Sequence, residues 1–248
     1  MIKILNLASG SKGNATLFAC DDTVFLLDDG VGKHLLGSGL KRLGFGFEDL
    51  HHVFLTHNHS DHIKGLKYLP EGVTLLSREA TIDLPHVSLA PFETYNIDPF
   101  AITVLPTSHD APDPTGYLIE AEGKKIVYMT DTGRIKKDVV KKCVDADVYM
   151  FESNHDPEML QYSGRPMMLI RRIASTKGHL SNQKSVDYLL KMVGSHTKAI
   201  FLAHLSEECN KEDLALACLR DSFLNEGLDL SSAHLACLKQ WEETYFEI

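Results

Sequence analysis

A chain of 248 residues, 44% hydrophobic and 24% charged, has ordinary globular composition and enough length to bury a sizeable core. The formal net charge of −9 argues against a surface-wide basic footprint for nucleic acid but leaves room for a local basic patch. Five widely spaced cysteines, Cys20, Cys143, Cys209, Cys218 and Cys237, are odd in number and form no Cys-x-x-Cys pair, which favours a reducing compartment over a disulfide framework. The opening Met1 to Leu7 is too soon interrupted for a signal segment, and no apolar stretch reaches about eighteen residues. The expectation is a cytoplasmic protein with a single domain over 1–248, since no linker, low-complexity run or repeat divides the chain.

In chain order, Ile2 to Leu7 predicts a first strand that ends at the turn-rich Ser9-Gly10-Ser11-Lys12-Gly13-Asn14. That loop reads either as a plain hairpin connection or as a nest of backbone N–H groups for a phosphate oxygen. Strands follow at Thr16 to Ala19 and Val24 to Leu27, then Asp28-Asp29-Gly30, then a helix marked by Leu35, Leu36, Leu40 and Leu43. Val53 to Leu55 predicts a buried strand, and Ser60 an N-cap for a helix through Ile63, Leu66 and Leu69 to Pro70. Further strands are expected at Val73 to Leu76, Val87 to Leu89 and Ala101 to Leu105, with a short helix near Arg78 to Ile82. Tyr117 to Glu120 and Lys125 to Met129 form a hairpin around Glu122-Gly123, and Ile135, Val139 and Val140 mark a helix. Val148 to Phe151 is a strand, and 157–174 is helical in part, interrupted by Gly164 and Pro166. An amphipathic helix through Val186, Leu189, Leu190 and Val193, a strand at Ala199 to Leu202, a helix near Asp213 to Phe223 and a final strand near Ala233 to Leu238 complete the pattern.

Three imidazoles and a carboxylate fall within six positions in His57-Asn58-His59-Ser60-Asp61-His62. Imidazole and carboxylate are the usual ligands of hydrolytic Zn²⁺ or Mn²⁺, so the stretch reads as a metal site on a strand-to-helix loop. Separate apolar strands also end in potential ligands: His57, His109, Asp131 and His204. With His59, Asp61 and His62 they make seven groups, enough for two metals sharing a bridging carboxylate. His34, His51, His52, His86, His196 and His234 lack such surroundings and are expected in surface or packing roles.

In these residues the chain resembles the metallo-β-lactamase superfamily, whose signature is His-x-His-x-Asp-His followed by a His, an Asp and a final His. The resemblance implies an α/β fold, an αββα four-layer sandwich of two mixed sheets packed face to face with helices outside. It also implies that His57, His59 and His109 hold one metal and Asp61, His62 and His204 the other, with Asp131 bridging and Asp28 orienting the His loop. A narrower resemblance, to the YycJ/WalJ branch, is carried by Ser9 to Asn14, Asp61-His62-Ile63-Lys64-Gly65, Phe151 to Asp156, Gly178-His179-Leu180-Ser181-Asn182 and Ala203-His204-Leu205-Ser206. That branch implies phosphodiesterase chemistry, notably 5′-to-3′ exonuclease action on DNA. Asn58 stands where the branch commonly has Glu, at a side chain that is not a ligand in the family.

Two divalent cations about 3.5 to 4 Å apart can activate a water and stabilise an in-line displacement. The expected cofactors are two such ions, Zn²⁺ or Mn²⁺ with Fe²⁺ also compatible. Asp61 would both ligate and accept the proton of the nucleophile, and His155 or His179 would protonate the leaving oxygen or brace its loop. Arg165, Arg171, Arg172 and Lys177 lie between those two histidines and read either as a solvated face or as a track for a nucleic-acid backbone. The leading reading is a DNA exonuclease. The alternatives are a hydrolase of a small cyclic phosphodiester or other ester, and a non-catalytic regulatory module of the same fold.

Overall fold

The computed structural model describes residues 1–78 and 82–248. Its strands, in chain order, are β1 (Ile2–Ala8), β2 (Ala15–Cys20), β3 (Thr23–Leu27), β4 (Leu50–Leu55), β5 (Thr74–Ser77), β6 (Val87–Ser88), β7 (Thr94–Ile97) and β8 (Phe100–Pro106). They continue as β9 (Thr115–Ala121), β10 (Lys124–Met129), β11 (Val148–Glu152), β12 (Ala199–Ala203), β13 (His234–Cys237) and β14 (Thr244–Glu247). The helices are α1 (Lys33–Leu43), α2 (Ser60–Ile63), α3 (Lys137–Lys142), α4 (Pro157–Gln161), α5 (Met167–Ile173), α6 (Asn182–Met192) and α7 (Glu212–Asn225). Two sheets form, in the orders β14-β1-β2-β3-β4-β5-β6 and β13-β12-β11-β10-β9-β8-β7.

The apolar runs divide by alternation. In β3, Phe25 and Leu27 enter the core between the sheets, whereas Val24 and Leu26 face outward to pack with Leu36, Leu40 and Leu43 of α1. In β10, Ile126 and Tyr128 face the other sheet, whereas Val127 and Met129 pack with Val186 and Leu189 of α6 and Leu219 of α7. Both faces of each sheet are covered, so the central strands read as continuous hydrophobic runs. The layers are helix, sheet, sheet, helix, as the family resemblance implied.

Aromatic rings fill the inner layer. Phe25 stacks on Phe18 at 5.1 Å between centroids and meets Phe54 and Phe100 edge-on at 5.5 and 5.0 Å. The Tyr117 hydroxyl of β9 donates to Leu55 O of β4 at 2.6 Å, tying the two sheets together beside the end of β4. Local chemistry sets the helix starts. Asp156 accepts the N–H groups of Glu158 and Met159 ahead of Pro157, and Ser181 accepts Lys184 N.

Three readings of the sequence are corrected or extended. The stretch after Ser60 is not one helix to Pro70: α2 is a single turn capped by His59, and a 3-10 turn follows at Leu66–Tyr68. Between them a Cβ on Gly65 would lie 2.2 Å from Asp29 Oδ1, so the chain turns where only glycine fits. Strands β7 and β14 escaped the sequence reading because their exposed and half-buried residues carry no apolar run. Of the expected helix near Arg78 to Ile82, residues 79–81 lie outside the described residues. No helix among the described residues is long and apolar enough to cross a membrane.

Candidate metal centre

The sheets bring their strand ends to one edge of the sandwich. Parallel β3 and β4 lead to Asp28 and His57, β8 leads to His109, β10 to Asp131, β11 ends at Glu152, and β12 leads to His204. Asp28, Asp131 and His204 take left-handed backbone, with φ of 58°, 51° and 56°. Such conformations are held by their surroundings and concentrate at functional sites.

All seven expected donors converge. His57, His59 and His109 form one group whose ligand atoms lie within 4.8 Å of one another, and Asp61, His62 and His204 form a second. Asp131 joins His57 and His62 in a third group, and His204, Glu152 and His179 in a fourth, so it stands between the two sides. Its Oδ2 is 3.3 Å from His62 Nε2 and its Oδ1 is 3.5 Å from His204 Nδ1. The six histidines expected outside the site belong to none of these groups.

The groups fit divalent cations. His57 Nε2 and His204 Nε2 are buried and make no hydrogen bond. Buried polar atoms are ordinarily satisfied, and a cation supplies the partner these lack. Burial, followed by the neighbouring His62, pushes the His57 pKa well below the usual range, which keeps a neutral lone pair for coordination. Burial opposes the charge on Asp131, but His204 and His62 outweigh it and hold that carboxyl well below the usual range.

Asp28 and Asn14 orient these donors. Asp28, fully buried, accepts Thr56 N–H at 2.8 Å and the His62 Nδ1 proton at 2.8 Å, which leaves His62 Nε2 toward Asp61 and Asp131. Asn14 closes the Ser9 to Asn14 loop on itself, with Gly10 N donating to its Oδ1 at 2.9 Å. Its Nδ2 lies 3.2 Å from Asp61 Oδ2 and 3.0 Å from His62 Nε2. The loop is held to the metal motif by Asn14 N donating to Asp61 O at 2.8 Å. A Cβ on Gly30 would fall 1.6 Å from that same Asp61 oxygen, so backbone packs on backbone here.

Glu152 is the site residue that sequence reasoning missed. Its Oε1 accepts from His179 Nδ1 at 2.7 Å and lies 3.2 Å from His204 Nδ1, while its Oε2 accepts Thr132 N and Leu180 N. Burial opposes its ionisation, but His179 more than offsets that, and its pKa falls to about 2. The only sequence signal was a carboxylate placed directly at the end of a buried strand.

His179 and His155 part company. His179 is half-buried beside Glu152 within the donor cluster. His155 is 3% exposed, bridges to Ser181 through backbone, and sets its Nδ1 3.3 Å from Asn154 Oδ1. Burial lowers its pKa to about 4. Arg172 pairs with Asp110, whose Oδ1 is 3.1 Å from His109 Nε2, so this cation stands at the rim of the centre. Arg165 pairs with Glu208 at 2.8 Å.

A family model for the beta-lactamase superfamily domain matches residues 25–204. The exodeoxyribonuclease WalJ of Streptococcus pneumoniae is 33% identical over 224 residues, covering 84% of this chain and 83% of its own. The exodeoxyribonuclease YycJ of Bacillus anthracis is 30% identical over 240 residues, covering 92% and 91%. Among solved structures, the metallo-beta-lactamase fold protein YhfI from Bacillus subtilis superposes with a TM-score of 0.73 at 18% identity, covering 99% of both chains. A diphosphatase from the PhnP family does so with 0.66 at 16% identity, covering 100% of this chain and 98% of its own. With its donors gathered at the strand ends, this chain is a metal-dependent hydrolase that belongs to the metallo-β-lactamase superfamily, in its WalJ/YycJ-like branch.

Proposed function

We propose that the protein is a binuclear phosphodiesterase acting on DNA, an exonuclease of 5′-to-3′ polarity, built on one domain over 1–248. The observation that carries this reading is the convergence of seven donors on two groups joined through Asp131. The names of its exodeoxyribonuclease relatives support DNA as the substrate. His57, His59 and His109 would hold one cation, Asp61, His62 and His204 the other, and Asp131 both. When bound, such ions supply Lewis acidity to the phosphate and lower the pKa of water.

The side chains of the protein do the rest. Asp61, steadied by Asn14, accepts the proton of the attacking water. His179 has its Nδ1 occupied by Glu152 and meets the leaving oxygen through Nε2, where it gives up a proton. His155 braces its loop: its Nδ1 faces Asn154 Oδ1, its backbone bridges to Ser181, and burial, which lowers its pKa to about 4, keeps the ring neutral. From Met159 to Val186 the sequence has no acidic residue and five cations, Arg165, Arg171, Arg172, Lys177 and Lys184. In a chain of net charge −9 this segment is the local basic face along which a phosphate backbone runs.

The test is a gel assay with 5′-labelled duplex and single-stranded DNA in the presence of Mn²⁺ or Zn²⁺, beside a chromogenic phosphodiester. Stepwise shortening of DNA from its 5′ end is expected. Hydrolysis of the small ester alone would sink the nuclease reading.

A further inference from the structure

A cavity of about 450 Å³ opens between the loops that follow β12 and β13. These strands are parallel neighbours, and the crevice outside the carboxyl ends of such strands is where α/β folds take ligands. Its lining begins at Leu205 and Ser206, immediately after His204, and is completed by Leu238 and Trp241. Trp241 is 55% exposed and is the single tryptophan of the chain.

The indole packs against the loop that carries Asn14. Gln240 Nε2 donates to Gly13 O at 2.8 Å, and its Oε1 accepts Lys12 N at 2.7 Å. A Cβ on Gly13 would lie 3.3 Å from the indole ring, and the next residue, Asn14, is the one that touches Asp61 and His62. The Lys64 ammonium, two residues beyond His62, sits 5.6 Å over the same ring. Cavity wall and metal donors therefore share one framework.

The charges around the cavity select the ligand. Glu207, Glu212 and Glu242 line it together with Lys211 and Lys239, and Lys239 is already paired with Glu212 and Glu242. An anion gains nothing there. A flat, uncharged ring gains an apolar floor and an indole to stack on, a contact that tolerates any base. We infer that the cavity takes a nucleobase of the strand being cut, with Trp241 as its stacking wall, so that the neighbouring phosphate meets the donor cluster. This inference rests on the nuclease reading above.

Trp241 supplies its own probe. Metal-loaded protein is titrated with single-stranded DNA carrying phosphorothioate linkages, and with an abasic strand of equal length and charge. The base-bearing strand is expected to quench tryptophan fluorescence saturably and the abasic strand is not. Trp241→Ala is expected to raise KM for single-stranded DNA about tenfold, with most of the affinity kept by Trp241→Phe. The small ester carries aromatic rings of its own, so the control is the abasic strand with ordinary linkages, which both variants should cleave as the wild type does. Equal fluorescence responses to the two strands, or an unchanged KM in Trp241→Ala, would overturn the pocket, as would equal losses on base-bearing and abasic DNA. If the wild type hydrolyses the ester and leaves DNA intact while the base-bearing strand still quenches, the nuclease reading falls and the pocket stands.

Discussion

Glu152 carries no ligand role in the sequence pattern, yet it touches both His179 and His204. Replacing it with Gln keeps the shape and removes the charge, and kcat/KM is expected to fall about 10- to 100-fold, in the range found when groups that orient metal ligands are lost. Steady-state kinetics on the small ester and on DNA check it. Asp61→Asn keeps the size of the side chain and should lower turnover by about a hundredfold or more, while shifting the thermal midpoint of the chelated protein far less. A variant with wild-type rates would contradict the role given to Asp61. His179→Ala should cost more on DNA than on bis(p-nitrophenyl) phosphate, whose leaving group needs little protonation, and equal losses would remove the general-acid assignment. At this scale the seven donors were legible because imidazoles at strand ends are conspicuous. Glu152 and Asn14 were not, since an acid at a strand end or an amide in a loop looks the same in sequence whether it meets water or a buried histidine.

Among the elements, the segment spanning α4 and α5 joins the loop of His155 to that of His179 and presents Arg172 beside the rim. Removing one phosphate contact with Arg172→Ala should weaken DNA binding for all sequences and lower the slope of log K against log salt by about one. Binding measured across a salt series reads this directly. His155 gives the same region a pH dependence. Its pKa falls from 6.5 to about 4 on folding, so between those values the unfolded chain binds more protons than the native one. Its contribution is therefore present above about pH 6.5 and lost as the pH falls toward 4. Denaturant melts of wild type and His155→Gln across this window should show a shallower acid loss in the variant. Most strands and helices followed from apolar periodicity, because buried sheets leave long hydrophobic runs. The break after α2 did not, since the close approach of Gly65 to Asp29 is a tertiary constraint that overrides the helical spacing of Leu66 and Leu69.

For the whole molecule, the centre lies on the seam between the two sheets: His57, His59, Asp61 and His62 follow a strand of one, whereas His109, Asp131 and His204 follow strands of the other. Cations held by both sheets bind the native state and not the unfolded chain, which stabilises by about 2.7 kcal/mol at a hundred times the dissociation constant. Chelation should lower the thermal midpoint by about 5 to 10 °C, given a few degrees per kcal/mol at this size. Calorimetry with and without a chelator checks it, and an unchanged midpoint would show that the sheets need no help. The four-layer plan was legible from the family motif, whereas the Trp241 cavity was not, because it joins residues of two loops with the far N-terminal Gly13.

The seam also sets an order of events in time. The first donor is His57 and the last is His204, so synthesis must pass His204 before every ligand exists. Neither group of three can form before the sheets dock, since each pairs donors from both. Metal capture is thus a closing step that certifies an assembled sandwich. A metal-dependent hydrolase assembled in this order stays inactive until its two sheets have docked.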